Sequence, residues 1–262
     1  MILFMQFVGY LFVAYLFLAA FIYFRQESFL FFPPADKHLD HSLTRIQDYQ
    51  LRRGDINLHG WLVNPSYARQ KLLIYFGGNG EDVFLNHDEF EDLQAATLFV
   101  AYRGYGPSGG IPGEQELYAD ALVVIDDAIR KYRPDEVYLI GRSLGSGVAC
   151  YGAAHKAVQG LILITPYDSI ENVAKHIYPW LPVRLLLKHK FKATDYAAKI
   201  DCPVLVLYGG RDEVIRPERT QNLLRHFRSP IEVVLIEQAE HGTIEMFPEY
   251  WRALLTFISE AR

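Results

Sequence analysis

Apolar residues fall along this chain in three patterns. The first is unbroken: residues 1–24 carry no charge, and Gln6 is their most polar side chain. As a helix this segment would reach roughly 36 Å at about 1.5 Å per residue, enough to cross a bilayer. Tyr10, Tyr15 and Tyr23 suit interfacial or lipid-facing positions on it. The second pattern is a series of short apolar runs bounded by turn residues: Lys71–Phe76, 97–101, 136–140, 161–164, 203–208 and Ile231–Ile236. The third is helical and clearest over Glu114–Tyr132, where Glu114 and Glu116 open the first turn. Ahead of these, residues 47–51 and 57–63 read as an antiparallel strand pair. Alternating strands and helices predict a mostly parallel sheet covered by helices on both faces. The expected division is a transmembrane anchor over 1–24, a juxtamembrane link over 25–45 and one α/β domain over 46–262, with a lid at about 169–198.

One strand-to-helix junction carries candidate chemistry. Gly141-Arg142-Ser143-Leu144-Gly145 follows the run 136–140, and the small residues of 146–154 continue as a helix. A strand, a sharp turn bearing a serine and then a helix make a nucleophile elbow. Strand and helix nearly touch there, so the positions two before and two after the serine must be small. Gly141 and Gly145 meet that need. The free N–H groups of the new helix face the reacting oxygen. Gly141, Ser143, Gly145 and Gly147 lack the G-x-G-x-x-G spacing of a dinucleotide loop and lie past mid-chain.

Such a serine needs a base, and the base needs an orienting carboxylate. The order that goes with this elbow is serine, acid, histidine. Asp212 ends the loop Gly209-Gly210-Arg211-Asp212 after the run 203–208, and His241 lies in the loop after Ile231–Ile236. Asp168, after the run 161–164, is the alternative acid. His226, the other histidine beyond Asp212, is expected mid-helix among Leu223, Leu224 and Phe227; Glu213 and Glu240 are expected to be exposed neighbours. An oxyanion hole needs two backbone N–H donors. Leu144, next after the nucleophile, is one. Asn79, in Gly77-Gly78-Asn79-Gly80-Glu81 after Lys71–Phe76, is the expected second.

With these residues in place the chain resembles the α/β-hydrolase superfamily, and more narrowly the membrane-anchored ABHD-type serine hydrolases and their bacterial relatives. The resemblance runs over about residues 51–259. It includes Tyr102-Arg103-Gly104-Tyr105-Gly106-Pro107-Ser108-Gly109-Gly110, then Pro112, Tyr118-Ala119-Asp120-Ala121, residues 203–212 and Glu240-His241-Gly242. It implies an α/β-hydrolase fold with a small lid insertion, and a glycine-rich loop at 103–113 that supports the floor of the site. That loop lacks the Lys-Ser/Thr ending of a phosphate-binding loop. There is one departure. Relatives carry His-Gly-Asn after the strand where this chain has Gly77-Gly78-Asn79, so the imidazole that holds their loop is missing.

Composition narrows the classes. The chain has 262 residues and a formal net charge of −5, with no basic footprint for nucleic acid. Cys150 and Cys202 read as small buried residues rather than a disulfide, which fits a reducing compartment. Asp36-Lys37-His38-Leu39-Asp40-His41 approaches a dinuclear metal signature, but no strand precedes it and it reads as a solvated link. No cofactor or metal is expected. The first segment lacks the basic start of a signal peptide, and Ala19-Ala20 is followed by more apolar residues, which favours a retained single-pass anchor over a cleaved signal or a docking helix. Basic residues follow it at Arg25, Lys37, Arg45, Arg52 and Arg53, which puts the catalytic domain on the cytoplasmic side. In the lid, Tyr178, Trp180, Arg184, Lys188, Lys190 and Lys192 combine apolar and basic character suited to an anionic membrane surface. The simpler expectation is a solvated cap over the site.

The expected function is a membrane-anchored serine hydrolase with Ser143, His241 and Asp212 as its triad, acting on esters or thioesters of lipid-like or acylated molecules. Amide hydrolysis on the same triad and a non-catalytic binding role are the alternatives. The expected partners are the acyl substrate and the lipid bilayer, and the sequence leaves the oligomeric state open.

Overall fold

The computed structural model describes residues 1–35 and 45–260. The Asp36 to His41 cluster, including Lys37, lies outside the described residues.

Eight strands form one sheet: β1 Ile46–Arg53, β2 Ile56–Val63, β3 Lys71–Phe76, β4 Ala96–Ala101, β5 Glu136–Arg142, β6 Gly160–Ile164, β7 Val204–Gly209 and β8 Ile231–Ile236. Their order is β1-β2-β4-β3-β5-β6-β7-β8. β2 runs antiparallel to β1 and β4, and the other neighbouring pairs are parallel. The parallel strands β3 to β7 are buried on both faces, which is why their sequences are largely apolar runs, whereas the edge strand β8 leaves Glu232, Val233 and Leu235 exposed. Successive residues separate accordingly. Leu72, Ile74 and Leu139 join a core with α3 (Glu114–Tyr132) and α4 (Leu144–His155); Leu73, Tyr138 and Ile140 join a second core with α9 (Pro248–Glu260). This is the α/β-hydrolase fold.

The remaining helices are short, apart from the first. They are α1 Ile2–Leu30, α2 His87–Phe90, α5 Ile170–Ile177, α6 Val183–Leu186, α7 Thr194–Ala197 and α8 Pro217–Leu224. α3 buries Leu117, Ala121, Val124, Ile125 and Ala128, one face at helical spacing, and ends at Arg133 in the left-handed region. α5, α6 and α7 lie between β6 and β7, in the segment expected as a lid.

α1 is a candidate transmembrane span. Only Ala19 and Gln26 are buried along it, so it is not a core helix. It continues past the uncharged run, through Arg25, to Leu30. Residues 25–30, expected as the start of the juxtamembrane link, are therefore still helical, and Phe31 beyond them is buried against His189 and Phe191. His226 also departs from expectation. α8 stops at Leu224, so His226 sits in the exposed turn beyond it and caps the Asn222 carbonyl at 2.9 Å.

Candidate active site

The C-terminal ends of β3, β5, β7 and β8 meet at one rim of the sheet, where open α/β sheets bind ligands. Ser143 stands there between β5 and α4 with φ 49° and ψ −117°, a conformation that L residues rarely adopt. Two glycines permit the turn. A Cβ on Gly141 would lie 2.5 Å from the Gly145 carbonyl oxygen, and one on Gly145 would overlap the Phe76 carbonyl oxygen. The Ser143 N–H donates to the Ile164 carbonyl at 2.9 Å, tying the turn to β6.

His241 comes from the loop after β8. Its Nε2 lies 3.0 Å from Ser143 Oγ, and its Nδ1 lies 2.7 Å from Asp212 Oδ2. A carboxylate oxygen can only accept, so Nδ1 carries the proton and Nε2 is left to accept from the serine hydroxyl. Asp212 is 3% exposed. Its other oxygen, Oδ1, accepts the N–H groups of Val214 at 2.9 Å and Ile215 at 2.7 Å, which fixes the carboxylate plane. Asp168, the alternative acid, is engaged elsewhere. It is fully buried and accepts from Arg219 at 3.0 Å, Asn222 at 2.7 Å, Asn172 at 3.0 Å and the Ser169 N–H at 2.7 Å. Glu213 and Glu240 are exposed, as expected.

The Gly77 to Gly80 loop lies against the serine: a Cβ on Gly78 would sit 3.7 Å from Ser143 Cβ. Leu144 is the first residue of α4, so its N–H has no carbonyl four residues back within the helix. Gly78 is not a free donor, because its N–H is taken by Glu81 Oε2 at 2.6 Å. Asn79 is held by its other groups. Its side chain donates to the Leu30 carbonyl at 3.0 Å, and its carbonyl accepts from the Tyr105 hydroxyl at 2.6 Å and the Phe32 N–H at 3.1 Å. The Tyr102 hydroxyl donates to the Gly77 carbonyl at 2.9 Å. The end of the N-terminal helix thus forms part of this loop's support.

Glu81 is the residue that sequence reasoning missed. Val83 and Glu81 fill the space beside Gly77 where a side chain would go. Besides Gly78, the Glu81 carboxylate accepts from the Tyr75 hydroxyl at 2.8 Å and the Asn86 amide at 2.6 Å. Arg142, inside the elbow motif, lies 3.8 Å from Glu81 and 3.2 Å from Glu245. A carboxylate reaching back from four residues on thus ties down the loop, in the place of the imidazole absent at Gly77. The signal was present as that departure together with Glu81, but nothing in the spacing says that the two meet.

The motifs carrying the resemblance also come together. Arg103 grips Asp120 through two parallel hydrogen bonds of 2.6 and 2.7 Å, and Arg53 joins the same carboxylate, so the glycine-rich loop is fastened to α3. Burial pushes the Cys150 thiol up, and Cys202 is pushed up to about 11 for the same reason. Both cysteines are free. Among the described residues no group of three His, Cys, Asp or Glu side chains could hold a metal ion.

No protein-family profile matches the chain. It is 28% identical over 235 residues to an uncharacterised protein of Mycobacterium tuberculosis, covering 86% of this chain and 84% of that one. It is 32% identical over 165 residues to alpha/beta hydrolase domain-containing protein 17B of Homo sapiens, covering 61% of this chain and 54% of the human protein. The match thus spans about half of the human protein's length. An esterase from Pyrococcus furiosus has the same fold, with a TM-score of 0.70 at 18% identity over 88% of this chain and 97% of that one. The chain therefore has the α/β-hydrolase fold and is similar in sequence to an ABHD-type α/β-hydrolase domain protein and to a bacterial protein.

Proposed function

We propose that the chain is a membrane-anchored serine hydrolase that cleaves carboxylic esters or thioesters of lipid-like or acylated molecules. The observation that carries the reading is the unbroken hydrogen-bond line from Asp212 through His241 to Ser143 Oγ. A serine in that line, on a strained turn at a helix N-terminus, is set up for acyl transfer. Ser143 Oγ attacks the acyl carbonyl while His241 Nε2 takes its proton. Asp212 holds the imidazole and stabilises the imidazolium. The N–H groups of Leu144 and Asn79 receive the developing oxyanion. His241 then delivers the proton to the leaving oxygen or sulfur. A water, deprotonated by the same nitrogen, hydrolyses the acyl-enzyme.

The P. furiosus neighbour is an esterase, which supports ester chemistry. α1 supports anchoring, and Arg25, Arg45, Arg52 and Arg53 after it support a cytoplasmic domain. The test is turnover of p-nitrophenyl esters of increasing chain length by the detergent-solubilised full chain, with a thioester and a p-nitroanilide alongside. The expected result is turnover of esters or thioesters that Ser143→Ala abolishes. Equal turnover by Ser143→Ala, or none by a folded wild type, would overturn it.

A further inference from the structure

The lid and α1 meet along one line. Short of its last residue, the half-buried Leu30, α1 is bare except on a stripe at Tyr15, Ala19, Ile22 and Gln26, spaced so that all four share a helix face. At one end of the stripe the lid grips Gln26 from both sides. Gln26 Nε2 donates to the Leu186 carbonyl at 3.0 Å, and its Oε1 accepts the Lys188 N–H at 2.7 Å. At the other end the Tyr15 hydroxyl donates to the Trp180 carbonyl at 3.1 Å. These two contacts lie about 16 Å apart along the helix axis at ~1.5 Å per residue. The lid therefore runs along α1 towards its N-terminus.

If α1 is a bilayer span, that direction leads into the membrane. A hydrocarbon core of about 30 Å takes about 20 helical residues. Within the uncharged run, such a span extends from 2–21 at one limit to 5–24 at the other. Tyr15 then lies about 9 to 14 Å below the end nearest the domain. Trp180 goes with it.

What the lid presents at that depth is apolar. Ile177, Tyr178, Trp180 and Leu185 are exposed, Trp180 by 51% and Leu185 by 82%. A cluster of this kind on a solvated cap would face water, whereas acyl chains match it. Charge is distributed along the same axis. Lys188, at the level of Gln26, pairs with Glu27 at 3.3 Å and lies over the Tyr23 ring at 4.9 Å, a headgroup-level arrangement. Lys190 and Lys192 lie 3.9 Å from Glu171, so they are not bare cations awaiting an anionic surface. From 177 to 187 Arg184 is the only Lys, Arg, Asp or Glu, and its long stem can carry its charge towards the interface.

We propose that the lid tip, residues 177–186, is inserted among the acyl chains of the leaflet on the domain's side, packed along α1. The proposal rests on the reading of α1 as a bilayer span. The test uses the full chain in phosphatidylcholine vesicles with and without bromine at mid-chain, and the emission of Trp180 taken as wild type minus Trp180→Phe. Trp61 is buried, and Trp251 donates to the Glu245 carbonyl within the domain, so the difference isolates the lid. The expected result is blue-shifted emission, about half or more of it lost to brominated chains at that depth, and protection from iodide. Quenching by iodide and not by bromine overturns the proposal. Tyr10→Trp in the Trp180→Phe background then tells the two readings apart: quenched by bromine, it leaves the anchor standing; unquenched, it removes the anchor as well. Leu185→Trp in the same background is a second reporter, expected to behave as Trp180 does, and iodide quenching there overturns the proposal equally.

Discussion

Replacing Glu81 tests how this chain does without the imidazole that its relatives place at Gly77. The Glu81 carboxylate accepts three hydrogen bonds of 2.6 to 2.8 Å, from Gly78, Tyr75 and Asn86. Hydrogen bonds to a charged group contribute about 1.5–3 kcal/mol each. Losing the Gly78 bond frees the Gly77–Gly78 peptide, next to the one that carries the N–H of Asn79, the proposed oxyanion donor. Loss of one oxyanion donor costs about 10²–10³ in kcat, and a factor of 10² is about 2.7 kcal/mol, within what one such bond supplies. Glu81→Ala is therefore expected to lower kcat about 10²-fold while KM changes much less, since the donor acts on the transition state. Glu81→Gln keeps the shape but turns an amide NH2 towards at least one N–H or O–H donor, and is expected to fall between Glu81→Ala and wild type. Ester hydrolysis measured alongside Tm separates loop displacement from unfolding. A folded Glu81→Ala with kcat within about twofold of wild type would refute the assigned role of Glu81 or of the Asn79 amide.

Asp212→Asn leaves the geometry nearly intact but loses the tautomer control of His241, so kcat should fall about 10⁴-fold with Tm little changed. Asp168→Asn should do the opposite. It weakens the buried bonds to Arg219, Asn222 and Asn172, so a lower Tm, equivalent to about 1–3 kcal/mol, should accompany nearly unchanged kcat. Gly145→Ala places a Cβ on the Phe76 carbonyl, a backbone group that cannot move aside, and should yield little folded enzyme, whereas Gly242→Ala, with nothing within 4 Å of the added carbon, should match wild type in Tm. With the Cys202 thiol pushed up to about 11 and Cys150 buried, iodoacetamide at about pH 8 should modify neither quickly in the folded protein and should leave esterase activity intact. Rapid modification with parallel loss of activity would contradict the burial of Cys150 and the raised pKa of the half-buried Cys202.

Much of the fold was legible because parallel strands buried on both faces must be apolar throughout. Lys71–Phe76 could be bounded on that ground; Ile231–Ile236, a half-exposed edge strand, was legible from its β-branched run, and Glu114–Tyr132 declared itself by its helical face and acidic first turn. The positions of Ser143, Asp212 and His241 were legible because each closes a strand at the same rim. Contacts between distant segments were not. That Asn79 is held by Leu30, Phe32 and Tyr105 depends on where the end of α1 meets the loop after β3, which no local pattern encodes. The helical signal of α1 could not mark Leu30 as its end, because charged Arg25 interrupts the apolar run without interrupting the helix. His226 was misplaced for a related reason: Leu223, Leu224 and Phe227 continue a helical spacing after the α-helix has ended at Leu224.

The central claim is that Ser143 is an activated nucleophile, and the most direct measurement is intact-mass analysis after exposure of the full chain to a fluorophosphonate. The account predicts one phosphonyl adduct, mapped to Ser143, absent from Ser143→Ala and strongly slowed in His241→Ala. No adduct on folded wild type, or an adduct that persists in Ser143→Ala, would contradict it.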